Sequence, residues 1–105
     1  MPYQIVRSPK ARRDIRDFVR YLKAEAGDMI ARACLTALER ELEVVLTHRP
    51  KAFTWFRETG APYRGKLFRF GRTTYWIVYT VDDALQRVEI VKFWHSARQP
   101  ETHGL

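Results

Sequence analysis

Between Tyr63 and Arg98 the chain reads YRGKLFRFGRTTYWIVYTVDDALQRVEIVKFWHSAR, a stretch rich in β-branched and aromatic residues and cut by turn signals at Gly71-Arg72 and Asp82-Asp83. That spacing predicts three successive strands folded as an antiparallel meander, which needs a second layer to bury its apolar side. Thr73 to Val81 carries no charge, as expected of a central strand covered on at least one face. In the strand before it, Phe68 and Phe70 alternate with Leu67 and Arg69. In the strand after it, period-2 alternation puts Val88, Ile90, Lys92 and Trp94 on one face and Glu89, Val91, Phe93 and His95 on the other.

The second layer comes earlier in the chain. Tyr3 to Arg7 reads as a short strand, ended by Ser8-Pro9, where Ser can cap orphan N–H groups and Pro fits a first helical turn. Ala11, Ile15, Phe18, Val19 and Leu22 then recur at helical spacing, while Arg12, Arg13, Arg16, Arg20 and Lys23 take the remaining surface beside Asp14 and Asp17. Ala26-Gly27-Asp28 interrupts the pattern: Gly27 suits a C-cap, and Asp28 can cap the next helix. From Met29 to about Thr47 a second apolar set follows, Ile30, Ala31, Cys34, Leu35, Leu38, Leu42, Val45 and Leu46, and His48-Arg49-Pro50 stops it. So short a connection makes the two helices an antiparallel hairpin.

The expected fold is therefore α+β: a short N-terminal strand, an antiparallel helical hairpin, then a three-stranded antiparallel meander, with the helices packed on one face of the sheet. One domain spans residues 1–98, and a polar, flexible C-terminal tail takes 99–105. The loop between the hairpin and the meander holds Phe53, Trp55 and Phe56. These either fold back over the core or stand out as a stacking platform or partner anchor.

Nineteen Lys and Arg against 12 Asp and Glu leave a net charge of +7, which favours an acidic partner, either nucleic acid or an acidic polypeptide. Cys34 is the sole cysteine, so an intramolecular disulfide is impossible, and its apolar setting reads as a small buried hydrophobe. The N-terminus has no apolar signal core, and no later run approaches the roughly 18 apolar residues of a membrane span. A cytoplasmic protein that does not engage the membrane is expected. His48, His95 and His103 lack the spacing of a metal site, and the five glycines never cluster as in phosphate or dinucleotide loops. No metal and no cofactor are expected.

What remains is basic chemistry on a sheet. Arg64, Lys66, Arg69 and Arg72 fall within a short stretch that contains no acid, and the last strand runs into His95 and Arg98. Metal-free RNA cleavage needs a base for the 2′-hydroxyl, a cation for the charged phosphorane and an acid for the leaving oxygen. His95 can serve as acid or base, and Arg69, Arg72 and Arg98 can hold the phosphate. A histidine packed beside Trp94 and bonded to backbone accounts for the same residue without any chemistry.

The order of these elements is similar to that of the RelE/ParE superfamily of bacterial toxins. The likeness rests on Ser8-Pro9-Lys10-Ala11-Arg12-Arg13-Asp14, on Arg49-Pro50, on Tyr63-Arg64, on Tyr75 to Val81 and on His95-Ser96-Ala97-Arg98. The resemblance implies a growth-inhibiting toxin of a type II toxin–antitoxin pair, neutralised by a labile acidic antitoxin that wraps around it. It also implies one of two targets. RelE-like members cleave mRNA in the ribosomal A site; ParE-like members trap DNA gyrase and are not nucleases. RelE-like nucleases place basic residues along the central strands and a Tyr or His near the C-terminus. Here the Thr73–Val81 strand has no Lys or Arg, and no Tyr follows His95. The long hairpin with its Ala-Gly-Asp connection resembles the ParE-like branch more closely. On that branch Arg12, Arg13, Arg16 and Arg20 and the segment around His95 and Arg98 are the expected contacts, and Arg64, Lys66, Arg72 and Lys92 are further candidates for partner or nucleic-acid binding. On the RelE-like branch Arg69, His95 and Arg98 become the catalytic set. A third reading is a non-toxic basic binding module.

Overall fold

A computed structural model of the chain describes residues 2–53 and 63–95. The first strand, β1 (Gln4–Arg7), runs directly into helix α1 (Pro9–Ala26). Ser8 makes the junction: its Oγ accepts from the Ala11 N–H at 3.0 Å and donates to the Val91 carbonyl at 3.0 Å. The cap thus satisfies an orphan helix donor and also ties the helix start to the last strand.

Gly27 alone joins α1 to helix α2 (Asp28–Arg40). Its φ of 96° is open only to a residue without Cβ, its N–H donates to the Lys23 carbonyl, and its own carbonyl accepts from the Ala31 N–H. The expectation that Asp28 would cap α2 is corrected by this geometry. With a one-residue link Asp28 already lies in the first turn, where its carboxylate meets Arg32 Nε at 2.9 Å and favours the positive helix end.

The second helix does not continue as a regular α-helix to Thr47. Residues Glu41–Leu46 form a π-helical segment. The cause can be read in Cys34, Leu38, Leu42 and Leu46, four fully buried residues spaced by four. In an α-helix each such step overshoots a full turn by about 40°, so the row drifts away from the sheet. A wider turn takes back that rotation and keeps Leu42 and Leu46 facing the core.

Strands β2 (Arg64–Phe70), β3 (Thr73–Asp82) and β4 (Arg87–His95) form the antiparallel meander. Strand β1 adds to it in parallel along β4, giving the order β1-β4-β3-β2. The helices cover one sheet face, and between them lies the main core of Ala11, Ile15, Leu38, Leu42, Phe68, Ile77, Tyr79, Val88, Ile90 and Phe93. Tyr79, fully buried, donates its hydroxyl to the Pro50 carbonyl at 2.6 Å, which anchors the end of the helical layer to the central strand.

One expectation about the meander is overturned. Val78 pairs with Lys92 and Tyr79 with Ile90, so Val91 is an extra residue, a β-bulge. Beyond it the alternation of β4 is inverted: Val88, Ile90 and Phe93 share the helix-covered face, whereas Lys92 and Trp94 lie on the other. The Ser8 hydroxyl accepts the role of partner for the bulged Val91 carbonyl.

Candidate functional site

Directly paired residues of neighbouring strands share a face, so the register sorts the sheet into rows. On the helix-covered face the rows are Arg64–Tyr79–Ile90, Lys66–Ile77–Phe93 and Phe68–Tyr75–His95. On the opposite face they are Gly65–Val78–Lys92, Leu67–Trp76–Trp94 and the pair Arg69–Thr74.

His95 ends the third of the helix-side rows. Its ring meets Tyr75 edge-on, with centroids 5.5 Å apart, and Tyr75 is in turn stacked on Phe93 at 5.3 Å and tilted against Phe18 of α1 at 4.6 Å. Burial raises the Tyr75 hydroxyl above its ordinary value, so it stays a neutral donor at physiological pH. The imidazole is exposed at the rim of this aromatic nest.

Arg69 faces the other way. It is exposed on the far face, and its Nε donates to the Gly71 carbonyl at 3.4 Å. Arg69 and His95, two of the residues expected of a metal-free nuclease, are therefore on opposite faces of the sheet. Arg98, the third member expected of that set, lies outside the described residues, as do Trp55, Phe56 and the 99–105 tail. Arg72 is exposed in the β2–β3 turn.

The other strand cations have structural partners. Arg64 Nη1 donates to the Phe53 carbonyl at 2.9 Å and the Lys51 carbonyl at 3.2 Å. Lys66 forms an ion pair with Glu41 of the π segment and sits 5.1 Å from the Phe53 ring centroid. These contacts hold β2 to the end of the helical layer. Lys92 is only 4% exposed, with its ammonium 5.9 Å from the Trp94 ring centroid. Desolvation lowers its pKa, and Lys10 lowers it further against the opposing pull of Asp14. By contrast Arg12, Arg13, Arg16 and Arg20 are all exposed along α1. Among the described residues no three His, Cys, Asp or Glu side chains converge to hold a metal ion, and no helix is long and apolar enough to cross a membrane.

A helical hairpin on a four-stranded sheet, with a basic helix and a closing histidine, invites comparison with known proteins. A family model described as "ParE toxin of type II toxin-antitoxin system, parDE" matches residues 5–100. The chain belongs to this toxin family. Among solved structures, this ParE-family chain is similar to one in the toxin–antitoxin complex RelBE2 from Mycobacterium tuberculosis, with a TM-score of 0.66 and 23% identity. That match covers 93% of this chain and 95% of the other, and it concerns the fold. A comparison with curated proteins finds no match.

In this ParE-family toxin the sequence reading missed one cluster altogether. Tyr3 Oη donates to Asp83 Oδ1 at 2.7 Å, and Lys51 Nζ meets Asp83 Oδ2 at 2.7 Å, so the β3–β4 turn clasps the strand start and the helix exit. Lys51 first, and Tyr3 second, hold the Asp83 carboxyl below the usual carboxylate range. All three groups are polar residues in separate loops, so nothing in their local sequence announces the contact.

Proposed function

We propose that this toxin arrests growth by acting on DNA gyrase in the cytoplasm, and that a cognate acidic antitoxin neutralises it. The observation that carries the first half is the separation of Arg69 from His95 across the sheet. Cleavage of an RNA phosphodiester needs a cation and a proton-transfer group within reach of one phosphate. Arg69 and His95, on opposite sheet faces, do not offer that pair, which supports the gyrase reading. Two further strand cations, Arg64 and Lys66, already hold the 51–53 segment and the π segment. The family match, by its printed description, adds the ParE assignment.

The net charge of +7 supports the second half, since an acidic chain laid over the surface relieves that self-repulsion. The other targets become outcomes of the test. Purified toxin added to gyrase and relaxed plasmid should suppress supercoiling and leave gyrase-linked breaks. Full supercoiling at excess toxin, with mRNA cut in a translating extract, would transfer the assignment to the ribosome. No effect in either assay would leave a basic binding module.

A further inference from the structure

Helix α1 carries its arginines at a cost to its own stability. Arg12, Arg16 and Arg20 stand at i, i+4 and i+8, so each faces a like charge one turn away, and Arg13 adjoins them. Lys10, Arg12 and Arg13 lie near the N-terminal end, where the macrodipole disfavours cations, and no acid occupies the first turn. The helix's own carboxylates offset this only in part: Asp17 is exposed among the arginines but forms no ion pair with them among the described residues. Asp14 is turned inward, bound to Lys10 Nζ at 2.8 Å and to the Phe93 N–H at 3.2 Å. Among the described residues none of the four arginines forms an ion pair, and all four are exposed.

We infer that this arginine stripe is a contact surface for the phosphate backbone of duplex DNA. A protein partner would ask for apolar or aromatic anchors within the patch; from Arg12 to Arg20 the exposed side chains are four arginines and Asp17, and the exposed aromatic Tyr21 lies just beyond them. A phosphate backbone asks only for regularly spaced cations. Residues four apart rise by about 6 Å along a helix, so Arg12, Arg16 and Arg20 form a repeated row of positive charge that can face a row of backbone phosphates. Arginine suits this role better than lysine, because its planar fork grips phosphate oxygens in pairs. The inference is separate from the target assignment, because it concerns binding to DNA alone, without gyrase.

The test is fluorescence anisotropy with a labelled random-sequence duplex between about 50 and 200 mM salt. In the triple variant Arg12→Gln, Arg16→Gln, Arg20→Gln the slope of log K against log salt should fall by about 3, roughly one for each lost phosphate contact. A matched variant, Arg40→Gln, Arg49→Gln, Arg87→Gln, removes the same charge from exposed positions outside α1 and should keep the wild-type slope. Circular dichroism should report an intact or firmer helix in the stripe variant; if that variant fails to fold, each single substitution should lower the slope by about 1. Equal losses in the stripe and matched variants would overturn the inference, since net charge alone would then explain binding. So would an unchanged slope, or a stripe variant that loses only its binding to polyglutamate.

Discussion

The carboxylate of Asp14 accepts a hydrogen bond from the backbone N–H of Phe93 at 3.2 Å, across 79 residues of sequence. Strand β1 pairs with β4 only as far as Ile90, so Phe93 lies on a stretch of β4 that has lost its parallel neighbour. The helix supplies the acceptor that the missing strand would have offered, and the sheet edge is closed there. Asp14→Ala should destabilise the fold by about 1–3 kcal/mol, because it leaves a part-buried N–H unsatisfied. Lys10→Ala, which removes only the half-exposed partner, should cost no more than about 0.5 kcal/mol. Urea denaturation of the two variants measures the difference.

Tyr79 and Pro50 make a second long-range lock. The buried hydroxyl is pushed up to about 12 by desolvation, against an ordinary value of 10.0. A raised acid holds its proton in the folded state while the unfolded chain releases it. Stability from this group is therefore complete below pH 10 and is lost as pH rises toward about 12. Tyr79→Phe should cost about 1–2 kcal/mol at neutral pH through the unpaired Pro50 carbonyl, and should flatten part of the alkaline decline. Unfolding curves at pH 8 and pH 11, taken for both proteins, test both statements.

Lys92 gives the opposite sign. Its folded pKa is depressed below 10.5, so the unfolded state binds the proton more tightly and stability rises with pH up to the unfolded value. Lys92→Met keeps the stem that packs beside Trp94 and removes a charge that is costly to bury. The variant should be more stable by about 1 kcal/mol at pH 7, and its advantage should shrink as pH approaches 10.5. Equal stability at every pH would mean that the ammonium is solvated in the folded protein.

The contrast between these residues explains how much of the molecule was legible beforehand. Ser8-Pro9 and Gly27 announce helix boundaries because capping is local chemistry, and both act where expected. The face assignments of β4 were not legible. From Ile90 to Trp94 apolar residues occupy both parities, so either alternation looks acceptable until the pairing with β3 reveals the bulge at Val91. The same limit applies to the site. Arg69 and His95 are each visible as chemistry-bearing residues, but which face each occupies depends on register, a property of strand pairs. The π segment lay between these cases: the four-residue spacing of Cys34, Leu38, Leu42 and Leu46 was on view, and its consequence required a sheet to face.

The separation of Arg69 from His95 has a direct consequence for activity. Arg69→Gln and His95→Ala should each act independently on growth arrest, with the double variant showing the sum of the two effects in log units. A shared catalytic phosphate would instead make the effects grossly non-additive, as for residues that act as a unit. Quantitative plating after induction of the single and double variants distinguishes the two patterns.

The central claim is that the toxin strikes DNA replication through gyrase. It is tested most directly by inducing the chain alone in a bacterial host and following DNA and protein synthesis separately by pulse labelling. The account predicts that DNA synthesis fails first, while protein synthesis continues through the early minutes. Early loss of protein synthesis with DNA synthesis intact would contradict it and make mRNA the target.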